Sequence, residues 1–182
     1  ELALECVRES SLDDMRSNPL ELIKRLRSEL HLLVSIARLL SKVGRMDDSN
    51  LRYGECLVLS KSIEEKEKLS GIHHTPDHDS NSSDNVSDPM LSTSAILCAR
   101  GINYKASAQY KRAIEDFTTA LHMGKSNKEE SVFADKHASN RAFPYPLATV
   151  YNHRGFCYRK LDKYEESIAD YTNAIKYSTP QD

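Results

Sequence analysis

Apolar residues recur at helical spacing along most of this chain, and the places where that pattern starts and stops divide it into elements. Residues 1–17 carry a short helical pattern, and the stretch "SNPLE" then opens a longer one, with Asn18 as cap, Pro19 at the first helical position and Glu21 three beyond the cap. From there Ile23, Leu26, Leu30, Leu33, Ala37 and Leu40 recur at steps of 3, 4, 3, 4 and 3. That is a heptad seam, and it has two readings: a contact surface for a partner helix along residues 20–40, or the inner face of a long helix that caps a stack of helices.

Further along, the pattern repeats itself. Shifting the sequence by 154 minus 100, or 54 residues, aligns Arg100-Gly101 with Arg154-Gly155, Tyr104 with Tyr158, Tyr110 with Tyr164, Ala113 with Ser167, Ile114 with Ile168, Asp116-Phe117-Thr118 with Asp170-Tyr171-Thr172 and Ala120 with Ala174, without gaps. Within each copy Gly and Tyr stand three apart, and a ring, a small residue, a second ring and Ala then follow at steps of three, four and three, the spacing of one helix face. The copies therefore predict two short amphipathic helices that meet at a turn, with small residues admitting close approach and rings filling the gaps.

These residues resemble the tetratricopeptide repeat (TPR), a helix-turn-helix unit with a period of about 34 residues. The copy "YNHRGFCYRKLDKYEESIADYTNAIKYSTP" keeps Tyr151, Gly155, Tyr158, Tyr164, Tyr171, Ala174 and a terminating Pro180. The copy near Ser94 departs from the pattern at its opening aromatic, where Leu97 stands. A third, degenerate copy pairs Val43 with Leu161, Met46 with Tyr164, Ser49 with Ser167, Tyr53 with Tyr171 and Cys56 with Ala174, with Ala37 in place of the first-helix glycine. It has a physical argument in its favour: one unit cannot bury its apolar face alone, and about three stacked units are usually needed. The resemblance implies an all-α fold of helix-turn-helix repeats stacked as a short right-handed TPR-like solenoid.

The expected organisation is N-terminal helices with the degenerate unit over residues 1–63, a mobile linker over 64–92, a repeat over 93–124, an insertion over 125–146 and a repeat over 147–182. The linker "SGIHHTPDHDSNSSDNVSDP" is polar, with Gly71, Pro76 and Pro89 as breakers. Its His73, His74, Asp77, His78 and Asp79 have metal-ligand chemistry, but crowded ligands on a loop lack a second shell to orient them, so no metal is expected. In the insertion, Ser126 and Glu129 have the spacing of a capping box for a short helix, and "FPYP" favours extended backbone at residues 143–146.

Composition narrows the function. The 182 residues carry 39% hydrophobic residues, no Trp and a net charge of -2, enough apolar surface for one core or a short solenoid. That balance offers no basic face for nucleic acid. The longest apolar run, "LHLLVSIARLL", is far short of the ~20 residues of a membrane helix. Cys6, Cys56, Cys98 and Cys157 are widely spaced, as reduced, buried thiols of a cytosolic protein would be. The chain opens at Glu1 without an initiator Met, so it is expected to be a piece of something longer. The histidines and carboxylates are scattered and no Ser or Cys has an activating neighbour in sequence, so neither an enzyme nor a cofactor is expected.

The resemblance therefore implies a protein-protein interaction scaffold, a segment of a larger cytoplasmic protein in a multiprotein assembly, with cytoskeletal and ciliary settings among those the family suggests. First helices line the concave face in such repeats, which places Arg38, Ile102, Lys105, Asn152, Phe156 and Arg159 in a groove for a protein or peptide ligand. Lys105 and Arg159 fall at matching positions of the two clear copies and form a basic strip suited to an acidic segment. The co-chaperone subclass, which clamps a chaperone C-terminal carboxylate with a lysine and an asparagine, is a weaker match, because Cys98 and Ile102 hold those places in one copy and Asn152 and Phe156 in the other. A regulatory subunit whose enzyme domain lies elsewhere is a further alternative.

Overall fold

The computed structural model describes residues 18–71, 91–129 and 145–178, and these hold six α-helices and no strand. They are α1 (Pro19–Lys42), α2 (Met46–Ser70), α3 (Thr93–Ala106), α4 (Tyr110–Glu129), α5 (Leu147–Lys160) and α6 (Tyr164–Ser178). Each odd helix packs on the even helix after it, and each pair packs on the next, α2 against α3 and α4 against α5. The fold is an all-α stack of helix pairs.

The turn inside each pair is the same object three times. Gly44, Ala108 and Asp162 all take left-handed backbone, at φ 85°, 58° and 58°. Arg45 N–H donates to Leu40 C=O, Gln109 N–H to Tyr104 C=O and Lys163 N–H to Tyr158 C=O, at 2.9, 2.8 and 3.0 Å. This is the Schellman closure, which satisfies carbonyls left over at a helix end. Glycine is at ease in this conformation; Ala108 is held there against its own preference.

Above each turn, a ring on the second helix meets a small residue on the first. A Cβ placed on Gly101 would lie 2.8 Å from the Phe117 ring, and one on Gly155 would lie 3.2 Å from the Tyr171 ring. The first pair uses Ala37 and Tyr53, both buried. A hydroxyl marks the same register: Ser49 Oγ donates to Ala37 C=O at 2.7 Å, and Ser167 Oγ to Gly155 C=O at 2.9 Å. The degenerate unit is thus a full helix pair.

Two ion pairs, each between a half-buried arginine and a buried aspartate, staple the other two units. Arg100 forks onto Asp116 with bonds of 2.8 and 2.7 Å, and Arg154 onto Asp170 with two of 2.8 Å. In the first unit the same positions hold Ile36 and Arg52, so the staple is missing there, and Arg52 turns to Glu55 instead. Between units one and two a polar network takes over: Asn103 donates to Ser49 Oγ and accepts from Ser41 Oγ, each at 2.7 Å.

Three sequence expectations change. The heptad seam is occupied within the chain: Ile23, Leu30 and Ala37 are buried in one cluster with Tyr53, Cys56 and Ile63 of α2, so a partner helix has no access to it. Helix α2 runs to Ser70, past the expected linker start at 64, because the charged helix formers "EEKEK" extend it and Glu67 takes a 2.6 Å ion pair from Arg27 of α1. Helix α4 likewise runs to Glu129, which puts Ser126 inside a helix rather than at the cap of a new one. Asn18 does cap α1, accepting from Leu20 N–H at 3.2 Å, with Pro19 at the first position. The short helix read over residues 1–17 and residues 143–144 of "FPYP" lie outside the described residues, while Pro146 is extended at φ -53°, ψ 129°.

Two glycine swaps test the packing and the turn from opposite directions. Gly101→Ala gains about 1 kcal/mol of helix propensity but overpacks Phe117, which costs about 1–3 kcal/mol, so thermal unfolding should fall to lower temperature. Ala108→Gly relieves about 1–2 kcal/mol of left-handed strain against about 0.5–1 kcal/mol of chain entropy, so the transition should rise. In urea unfolding, Asp116→Asn should cost about 3 kcal/mol because it strands Arg100, whereas Glu55→Gln at the exposed Arg52 pair should cost less than about 0.5 kcal/mol.

Candidate functional site

The first helices α3 and α5 bring a set of cations around one ring. Phe156 lies in the middle of α5, half-buried, and Lys105 reaches it from the last turn of α3. Lys105 Nζ stands 5.6 Å from the ring centroid, Arg159 Cζ 5.4 Å and Lys160 Nζ 5.7 Å, while the Tyr110 ring meets it edge-on at 6.4 Å. The three cation contacts are cation-π attractions, and the Tyr110 contact is an edge-to-face ring pair. No ion pair among the described residues neutralises Lys105, Arg159 or Lys160.

Lys105 is held in place by a second contact. Its Nζ donates to His153 Nδ1 at 3.0 Å, and the His153 ring stacks on Phe117 at 5.9 Å. Burial, then the nearby Lys105 charge, lower the His153 pKa, so the imidazole is neutral near pH 7 and Nδ1 has a lone pair to offer. The core ring that locks the repeat thus also orients the lysine that faces outward.

The structure brings Lys105, Phe156 and Arg159 together out of the six residues singled out from the sequence. Arg38 and Ile102 occupy the register of Phe156 in the first and second units, with Arg38 exposed and Ile102 packed against the core. Arg38 stands near Tyr53 and Tyr145, where its charge opposes the upward pKa shifts that burial gives both phenols; Tyr53 reaches about 12. Asn152 lines a different surface, a groove at the end of the stack that it shares with Tyr171, Ala174 and Ile175.

Several residues that matter were not picked out beforehand. Lys160 and His153 complete the surroundings of Phe156, and no spacing in the sequence marks them, whereas Tyr110 is the repeat ring aligned with Tyr164. The Arg100–Asp116 and Arg154–Asp170 staples did leave a signal: the same Arg and Asp, sixteen apart, in both aligned copies.

Cys56, Cys98 and Cys157 are buried, unbridged thiols whose pKa values burial pushes up to about 11, 12 and 11, far from a reactive thiolate. Cys6 and the His73–Asp79 cluster lie outside the described residues, and among those described no three His, Cys, Asp or Glu side chains are grouped to hold a metal. No helix among them is long and apolar enough to cross a membrane.

Comparison with known proteins gives one finding: the family model of the tetratricopeptide repeat matches residues 148–178, the span of α5 and α6. No curated protein and no solved structure matches the chain. The helix pair α5–α6, with its glycine-ring lock at Gly155 and Tyr171, is thus similar to a tetratricopeptide repeat, a unit of the kind that serves as a protein-protein interaction module.

Proposed function

We propose that the chain is a non-catalytic interaction scaffold, a segment of a larger protein in a multiprotein assembly, and that the face built from its first helices binds an acidic peptide segment. The supporting observation is the cluster at Phe156: three cations with no carboxylate partner among the described residues, around one half-buried ring, two of them at equivalent positions of successive units. Such a surface suits a ligand that carries carboxylates beside an apolar side chain, because charge-assisted hydrogen bonds and ring contact then act together. A cytoplasmic setting, cytoskeletal or ciliary, belongs to the same reading and comes from the family resemblance.

The carboxylate-clamp alternative has less support. Cys98, at the place of the clamp lysine, is buried with its thiol protonated, and Ile102 packs into the core. A carboxylate there would be desolvated without a partner, which is costly.

Fluorescence anisotropy with a labelled Glu/Asp-rich peptide bearing one Leu, and its Gln/Asn counterpart, tests the reading. The acidic peptide should bind and the neutral one should not, with affinity falling as salt rises. Lys105→Glu with Arg159→Glu should abolish binding, and Phe156→Ala should weaken it about tenfold, or about 1.4 kcal/mol. Equal binding of both peptides, or full affinity after charge reversal, overturns the proposal.

A further inference from the structure

The two ends of the stack carry surfaces that, elsewhere in the same chain, already fit one another. In the second unit Ile96, Ala99 and Asn103 of α3 face the first unit, packing into its core cluster or bonding to Ser41 and Ser49. In the third unit the same register positions are Val150, His153 and Cys157 of α5, and they face the second unit, where His153 stacks on Phe117 and the other two join its cluster. Counting back by the turn offset, 110 minus 46 or 64 residues, the first-unit equivalents are Leu32, Ser35 and Leu39 of α1.

Among the described residues the two leucines are left uncovered and Ser35 is half-buried. Leu32 and Leu39 are 62% and 61% exposed, where Val150 and Cys157 are 1% and 0%. Ile36 and Val43, also exposed, extend them into a stripe with steps of four, three and four that runs along α1 to its C-cap. Ile36 replaces the arginine that staples the other units, so the stripe carries no charge.

The opposite end presents the receiving surface. Phe117 and Leu121 of α4, buried beneath α5, have Tyr171 and Ile175 of α6 as their equivalents. Ile175 is 67% exposed against 3% for Leu121, and with Asn152, Tyr171 and Ala174 it lines an open groove of about 540 Å³. The row of uncovered aliphatic side chains on α1 is more than the scattered single residues that surfaces tolerate, and the exposed Ile175 sits in a groove that can receive it.

We propose that the α1 stripe of one copy of this chain docks into the α5–α6 end groove of another, repeating between molecules the contact that joins consecutive units within one. The occupant is a second copy because ridge and groove are register equivalents of surfaces that mate twice inside the chain. The contact is head-to-tail, so it does not close on itself as a two-fold dimer does, and each added copy exposes a fresh end.

Sedimentation velocity of the full chain over a concentration series, with two exposed-site variants, tests this. Leu39→Arg blocks the ridge and Ile175→Arg blocks the groove; circular dichroism and thermal unfolding of each should match the parent, since both side chains lie in solvent. The parent chain should show a weight-average mass that climbs with concentration past that of a dimer. Each variant alone should stay monomeric. An equimolar mixture should form a one-to-one complex and stop there, because it contains one intact ridge and one intact groove. A parent chain that is monomeric throughout overturns the proposal, as would variants that still self-associate, or a mixture that does not pair.

Discussion

Everything in this fold depends on an aromatic ring seated against a residue that has almost no side chain. Phe117 over Gly101 and Tyr171 over Gly155 bring two helices closer than any larger residue would permit, and Tyr53 over Ala37 is the looser version of the same lock. Close packing of this kind is directional in effect although dispersion and hydrophobic burial are not, because only one register lets the ring enter. The ring sets the register, the register sets the left-handed turn, and the turn at Gly44, Ala108 and Asp162 delivers the second helix to the same place each time. Repetition of the lock is what makes a stack.

Variation around the lock gives the stack its individual character. The second and third units add an Arg–Asp fork, while the first has Ile36 and Arg52 there and relies on the Asn103–Ser49–Ser41 network to hold its neighbour. The exchange leaves α1 without a charge on its outward stripe. Toward the other end, the neutral His153 links the core ring Phe117 to Lys105, so the packed interior and the cationic outer face are parts of one arrangement. An interaction module needs this combination, a rigid interior that fixes the positions of groups left unpaired at the surface.

How much of this was readable in advance follows from where each feature is encoded. The ring-and-glycine alternation is a pattern of residue types, so it was visible twice over at an offset of 54, and the weaker third copy could be placed to the residue because its turn and its serine keep the same spacing. The left-handed Ala108 was hidden because alanine does not announce that backbone; only its equivalence to Gly44 does. The occupant of the heptad seam was ambiguous because a periodic stripe says that something covers it and not what. The end of α2 ran past the expected boundary because charged helix formers and the Arg27–Glu67 ion pair sustain a helix that has little apolar surface, and α4 likewise continues to Glu129. The cluster at Phe156 was half legible: Lys105 and Arg159 stood out by their register, whereas Lys160 and His153 join them only in three dimensions.

The central claim is that α1 and α2 form a true unit of the stack, docked on α3 in the register that the other units use. Isotope-edited NMR on the side-chain amide of Asn103 addresses it directly, since that group lies 2.7 Å from Ser49 Oγ. Strong cross-peaks from the Asn103 amide protons to the Ser49 β protons, and slow exchange of those amide protons with solvent, are expected. An Asn103 amide that exchanges freely and shows no contact with Ser49 would mean that the first helix pair is not stacked there, and the register account would fall with it.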